Sequence, residues 1–159
     1  SGHVVRAFRG AVDSRATADL PTIACSASRT SLGLGEAMRR AEAYSAAGAD
    51  VIFVESPESE AELEAVARRI DKPLLANMVN GGRTPLVPAD RLAELGYAIA
   101  IYPAVGFLAV AHALQSAYAD LQKHGISTDE VPMGSFAEFN ELIGFPDVWE
   151  FERRYAETE

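Results

Sequence analysis

Between residues 4 and 124, short wholly apolar runs alternate with stretches in which apolar positions recur every three or four residues. Buried strands alternating with amphipathic helices predict a parallel sheet covered by helices. Val4 to Ser14 reads as an opening helix, with Val5, Phe8 and Val12 along one face. Thr22 to Cys25 is a first strand, and Glu36 to Ala47 a helix stopped by Gly48, the residue that tolerates the left-handed C-terminal position. Val51 to Val54 is a second strand, continuously apolar as strands covered on both faces are. A third helix opens at Ser59, with Glu62 three residues on as in a capping box, and buries Leu63, Val66 and Ile70. Pro73 to Asn77 is the third strand, followed by a loop at 80–85. A short helix starts at Pro88 and stops at Gly96, before a fourth strand at Ile99 to Tyr102. Ala104 to Lys123 is a long helix closed by His124-Gly125.

Four β/α units with short connections follow, and that order dictates parallel strands with right-handed crossovers. Beyond residue 125 the pattern changes. Ser135 and Glu138 form another capping box, and Trp149, Phe151 and Tyr155 sit on a final helix too aromatic to lie free in water. Residues 4–125 are therefore read as the β/α region and 126–159 as a helical clasp against another surface, with Ser1-Gly2-His3 set aside as a scar of tag removal.

The chain's 159 residues, 48% of them apolar, suffice for one real core but fall short of the roughly 250 that a (β/α)8 barrel usually needs. A net charge of −9 with no Lys/Arg run excludes a phosphate-tracking surface, so nucleic-acid binding is not expected. No apolar run approaches the roughly 18 residues of a membrane span, and no signal-peptide pattern is visible. Cys25 is the chain's one cysteine, which excludes an intrachain disulfide and points to a reducing, cytoplasmic setting.

In barrels of parallel strands, functional groups gather at the strands' C-terminal ends. Four clusters fall there: Cys25-Ser26-Ala27-Ser28-Arg29, Glu55-Ser56, Asn77 with Asn80-Gly81-Gly82-Arg83-Thr84, and Tyr102. A thiolate is a strong nucleophile, so Cys25 is the candidate nucleophile and Glu55 its neighbour that orients a base or takes a proton. Arg29, Arg83, Asn77 and the N–H groups of Gly81-Gly82 are candidate oxyanion donors, and Ser26, Ser28, Thr84 and Tyr102 complete the substrate-binding set. The competing reading of Cys25 is a small buried hydrophobe. His112, mid-helix, and His124, at a helix end, are weaker candidates, and no histidine pair has metal-ligand spacing. No cofactor is expected.

Several segments, taken in order, resemble the phosphoenolpyruvate mutase/isocitrate lyase family. They are Ala47-Gly48-Ala49-Asp50-Val51-Ile52-Phe53-Val54-Glu55, Pro73-Leu74-Leu75-Ala76-Asn77-Met78, Gly81-Gly82-Arg83-Thr84-Pro85 and Phe136-Ala137-Glu138-Phe139-Asn140-Glu141-Leu142-Ile143-Gly144. Leu95-Gly96-Tyr97 through Tyr102-Pro103 extends the match. The resemblance implies that the four strands are the fifth to eighth of the family's barrel, and that positions 55, 77, 84 and 85 line its substrate site. It also implies that the carboxylates holding Mg²⁺, and the family's catalytic cysteine, belong to the half not matched. At its fifth strand, which this chain's first resembles, the family commonly reads Ile-Ala-Arg-Thr-Asp-Ala, with the arginine gripping the substrate's acidic group. Here the segment is Ile23-Ala24-Cys25-Ser26-Ala27-Ser28.

The expected fold class is thus α/β: half of a (β/α)8 TIM-type barrel, four parallel β/α units with C-terminal helices, completed by dimerisation. Four strands leave two open edges and an apolar inner face, and a second copy removes both. A homodimer or higher even oligomer is expected, acting on a small molecule. The preferred functional expectation is a metal-independent hydrolase of activated carboxylic or phosphate esters, phosphotriesters included, with Cys25 as nucleophile. One alternative is a catalytically inert half-barrel assembly module. The other is a lyase or mutase of small oxyacids that works only with a separate metal-binding half.

Overall fold

Four parallel strands, β1 (Ile23–Ser26), β2 (Val51–Val54), β3 (Leu74–Asn77) and β4 (Tyr97–Ile101), form one sheet in sequence order. The computed structural model describes residues 2–17 and 19–156. Helices α1 (Gly2–Asp13), α2 (Arg29–Ala46), α3 (Glu60–Arg69), α4 (Ala89–Leu95) and α5 (Val105–His124) alternate with the strands, and α6 (Phe136–Leu142) and α7 (Phe145–Tyr155) close the chain. Parallel pairing in sequence order is the topology expected of half a barrel, and the α/β reading holds. Among the described residues β1 pairs only with β2, and β4 only with β3.

Local chemistry explains most boundaries. Ser59 caps α3 by accepting from the Glu62 N–H, but the Glu62 carboxylate turns to Arg29 and the Glu58 N–H instead of closing the box. At Ser135 both halves of the capping box are present. Gly96 ends α4 in the left-handed conformation. Helix α2 is broken at Gly33 (φ 84°, ψ 167°), a backbone region open to glycine, so the periodic pattern starts only beyond the break. The fourth strand begins two residues before the predicted Ile99. Leu74 pairs with Tyr97 and Leu75 with Ile99, so Ala98 is the extra residue of an irregular register.

The chain divides into two units, residues 1–108 and 109–159. In the first, Ala24, Ile52, Val54, Leu74 and Ala76 lie in one buried layer with Ala37, Ala41, Leu63 and Val66 of the helices. Ser26 belongs to this helix-facing side, where its hydroxyl donates to the Ala37 carbonyl. Strand side chains alternate faces, so Cys25, Phe53, Leu75 and Ile99, one register row, point the other way. That inner face is where Ile23 (49% exposed) and Ile101 (38%) meet solvent, as an unclosed barrel requires. Asp50 joins the segment before β1 to the start of β2, accepting from the Thr22 N–H and hydroxyl and from Arg15.

In the second unit Asp120 accepts from the Thr128 N–H and hydroxyl, and its carboxylate lies 3.1 Å from His124 Nδ1. Phe136 and Leu142 of α6 are largely exposed, and the Phe151 and Tyr155 rings of α7 pack 4.7 Å apart with their planes tilted by 44°.

Candidate active site at the strand ends

A cavity of about 240 Å³ opens at the C-terminal ends of β2 and β3. Glu55 and Ser56 line it from β2, and Asn77 from β3. Val79, Gly82, Arg83 and Thr84 complete it from the loop after β3. Five of the residues expected from sequence therefore converge: Glu55, Asn77, Gly82, Arg83 and Thr84. Val79, an aliphatic loop residue with no chemical signal, was not among them. The loop folds tightly because Gly82 donates its N–H to the Val79 carbonyl, and a Cβ on Gly82 would stand 3.0 Å from that oxygen. Gly81 takes a positive φ of 76° in the same turn. The Gly82 N–H is spent within the turn and is not an oxyanion donor.

The cavity's polar groups differ in how well they are satisfied. Asn77 Oδ1 is buried with no hydrogen-bond partner. Buried acceptors are normally paired, and this unpaired one belongs to a side chain that lines the cavity. The Glu55 carboxylate accepts from Ser56 Oγ at 3.2 Å. Arg83 is the cavity's cation, well exposed and 3.5 Å from Glu58.

The remaining expected residues lie elsewhere. Ser28 sits 3.4 Å from the Ser26 hydroxyl, and both are buried. Arg29 is committed to Glu62 through two hydrogen bonds, at 2.6 and 3.0 Å, and to Glu58 at 2.8 Å. Hydrogen bonds from Arg29 hold the Glu62 carboxyl below its ordinary range. Tyr102 follows β4 and is exposed. Cys25 is exposed on the inner face, level with Phe53, and is not part of the cavity lining. Partial loss of water around its sulfur pushes the thiol pKa up, and the Glu55 charge pushes it further the same way. A nucleophilic cysteine needs the opposite, a cation or helix N-terminus that favours thiolate.

Mg²⁺ demands several oxygen ligands in near-octahedral order. The cavity offers a single carboxylate, Glu55. Among the described residues, the one grouping with metal-ligand spacing is Asp120, His124 and Glu130, in the second unit, where Asp120 is already used by Thr128. The residues present do not fit a resident Mg²⁺.

A family model described as phosphoenolpyruvate phosphomutase matches residues 15–122. The chain belongs to the phosphoenolpyruvate phosphomutase family. Within it, 2,3-dimethylmalate lyase of Eubacterium barkeri is 39% identical over 154 residues, covering 96% of this chain and 53% of that enzyme. The chloroplastic carboxyvinyl-carboxyphosphonate phosphorylmutase of Arabidopsis thaliana is 35% identical over 125 residues, 78% of this chain and 37% of its own length. A crystal structure of 2,3-dimethylmalate lyase superposes with TM-score 0.80 at 29% identity, over 94% of this chain and 54% of the other. The chain thus spans about half the length of the relatives it matches, as the half-barrel requires.

These comparisons overturn the expectation of a metal-independent hydrolase with Cys25 as nucleophile. The curated relatives are a lyase and a mutase by name. A hydrolase of similar fold, phosphonopyruvate hydrolase, was crystallised with oxalate and Mg²⁺ (TM-score 0.71, 29% identity, 94% of this chain and 54% of that one). The raised thiol pKa of Cys25 supplies the physical reason. Among the described residues no helix is long and apolar enough to cross a membrane.

Proposed function

We propose that the chain is the substrate-binding half of a lyase or mutase acting on small hydroxy or oxo acids, completed by four further parallel strands that bring the metal ligands. The observation that carries this reading is the cavity at the ends of β2 and β3, lined by Glu55, Arg83, Thr84 and Asn77, whose buried side-chain oxygen has no partner. Glu55 and Asn77 would accept from a substrate hydroxyl, and Arg83 and Thr84 would meet its carboxylate. The same four strands would cover Ile23, Cys25 and Ile101 and pair both sheet edges, which a lone half leaves open. A homodimer or higher even oligomer, with residues 126–159 as the clasp, and a cytoplasmic setting belong to the same proposal.

The test assays cleavage of 2,3-dimethylmalate and 2-methylisocitrate by the chain alone and mixed with the N-terminal half of a family member, each with Mg²⁺ or EDTA. Activity is expected only in the mixture with Mg²⁺. Activity of the chain alone in EDTA would refute the proposal. Silence of a mixture that co-sediments as a complex would favour the inert assembly module.

A further inference from the structure

We infer that Ser56 is a positioning residue for Glu55, an inference that rests on the cavity being the substrate site. Among the described residues Ser56 is the one non-glycine with a positive φ, 61°. It stands where β2 gives way to the loop, directly before the buried Pro57. A residue preceding proline is driven out of the right-handed helical region, and an extended Ser56 would simply continue the strand. The left-handed conformation turns the chain at once. It also sets the Ser56 hydroxyl beside the preceding carboxylate, where Oγ donates to Glu55 Oε1 at 3.2 Å, and both residues line the cavity.

Glycine would make this turn without strain, and an L side chain is tolerated here at a steric cost. Strain of this kind persists where the surroundings hold it, and it gathers at sites that use it. What serine adds over glycine is one hydroxyl, and that hydroxyl is spent on the cavity's single carboxylate. With one Oε1 lone pair occupied, the Glu55 side chain is held in one rotamer, with its remaining acceptor sites free for a substrate donor. Neither the Arg29 nor the Arg83 guanidinium takes this role, since their hydrogen bonds and ion pairs run to Glu58 and Glu62.

The experiment compares Ser56→Gly, Ser56→Ala and Ser56→Asn in the full chain, with Glu55→Gln as a second background. Three-bond couplings read the Glu55 rotamer without ligand, and NMR titration reads the affinity for 2,3-dimethylmalate. Ser56→Gly and Ser56→Ala should both average the Glu55 couplings and weaken binding about three- to tenfold, the range of one ordinary hydrogen bond. Ser56→Gly should at the same time raise the melting temperature. Ser56→Asn, which tolerates the left-handed conformation and keeps a donor, should restore both readouts. In the Glu55→Gln background the Ser56 substitutions should no longer change the affinity. A higher melting temperature in Ser56→Gly with unchanged couplings and unchanged affinity would reduce Ser56 to a turn residue and overturn the inference. Unchanged affinity in Glu55→Gln would instead overturn the reading of the cavity, while the couplings still decide whether Ser56 holds the carboxylate.

Discussion

Replacing Asn77 by leucine should make the chain more stable while removing the contact proposed for a substrate hydroxyl. The two side chains are nearly isosteric, so the substitution changes chemistry more than shape. Asn77 Oδ1 is buried without a partner, and such an acceptor costs about 1–3 kcal/mol in lost hydration. Leucine removes that cost and adds apolar contact on the inner row, beside Ile101, its register partner on β4. The side chain is only partly buried, so the contact gain is small and the net expectation is a stabilisation of about 1–2 kcal/mol. With a urea m-value of about 1–3 kcal/mol per M, the midpoint should move up by about 0.3–2 M. Equilibrium urea unfolding followed by circular dichroism measures this, with Asn77→Asp as a control that places a charge at the same position. A midpoint lower than that of the parent chain would mean that the Asn77 oxygen is paired after all. The argument for a ligand donor at that point would then fail.

Leu63→Ala removes a side chain only 1% exposed, from the α3 layer that also anchors the Tyr97 hydroxyl through the Leu63 carbonyl. Urea unfolding should show a loss of about 2–5 kcal/mol, and a loss under 1 kcal/mol would mean the helix layer is not tightly packed on the sheet. Glu36 is held at about 2 by hydrogen bonds from Arg39 and Arg40. Its folded pKa is depressed, so its contribution should be complete above the ordinary carboxylate range and lost as pH falls towards 2. Glu36→Gln should therefore flatten the acid limb of the stability profile, and an unchanged limb would contradict the pairing. Cys25 should react with iodoacetamide more slowly than a free thiol at the same pH, because burial and the Glu55 charge both disfavour thiolate. Glu55→Gln should speed the reaction, and a slower rate would show that Glu55 acts as a base towards sulfur.

The parallel order of the strands was legible because apolar runs and helical periodicity alternate without interruption up to the end of α5. Both serine caps were legible too, since capping uses near neighbours in sequence. What escaped depended on partners far apart in the chain. Arg29 looked free at a strand end, yet it meets Glu62, 33 positions on. The completion of a capping box by Glu62 failed for the same reason, because a guanidinium competes with a backbone N–H for its oxygens. Cys25 was placed correctly at the end of a strand, but alternation alone does not say which face is covered. Its neighbour Ser26 turned out to face the helices, and Cys25 the open side. The extra residue at Ala98 shifted the start of β4, and a bulge leaves no mark in hydrophobic alternation. In the cavity, the glycine turn was visible as Gly81-Gly82, whereas the spending of its N–H on Val79 was not.

The distribution of charge around the strand ends narrows what this half can contribute. At the end of β1 the polar side chains Ser26 and Ser28 turn towards the helix layer, and Arg29 is neutralised by two carboxylates. Cys25, where the family resemblance expects an arginine, carries a thiol biased towards its neutral form. This corner therefore supplies no free cation to an acidic substrate. The ends of β2 and β3 supply one carboxylate, one amide, two hydroxyls and the exposed Arg83. On the proposed reading, an anionic group would lie over the β3 loop and a hydroxyl over Glu55 and Asn77. On that reading the strands that close the barrel would bring both the metal and whatever positive charge the β1 corner lacks. A relative whose β1 arginine holds a second acidic group has no counterpart for that contact here. On the proposed reading, a complete barrel with this half would favour substrates with fewer acidic groups.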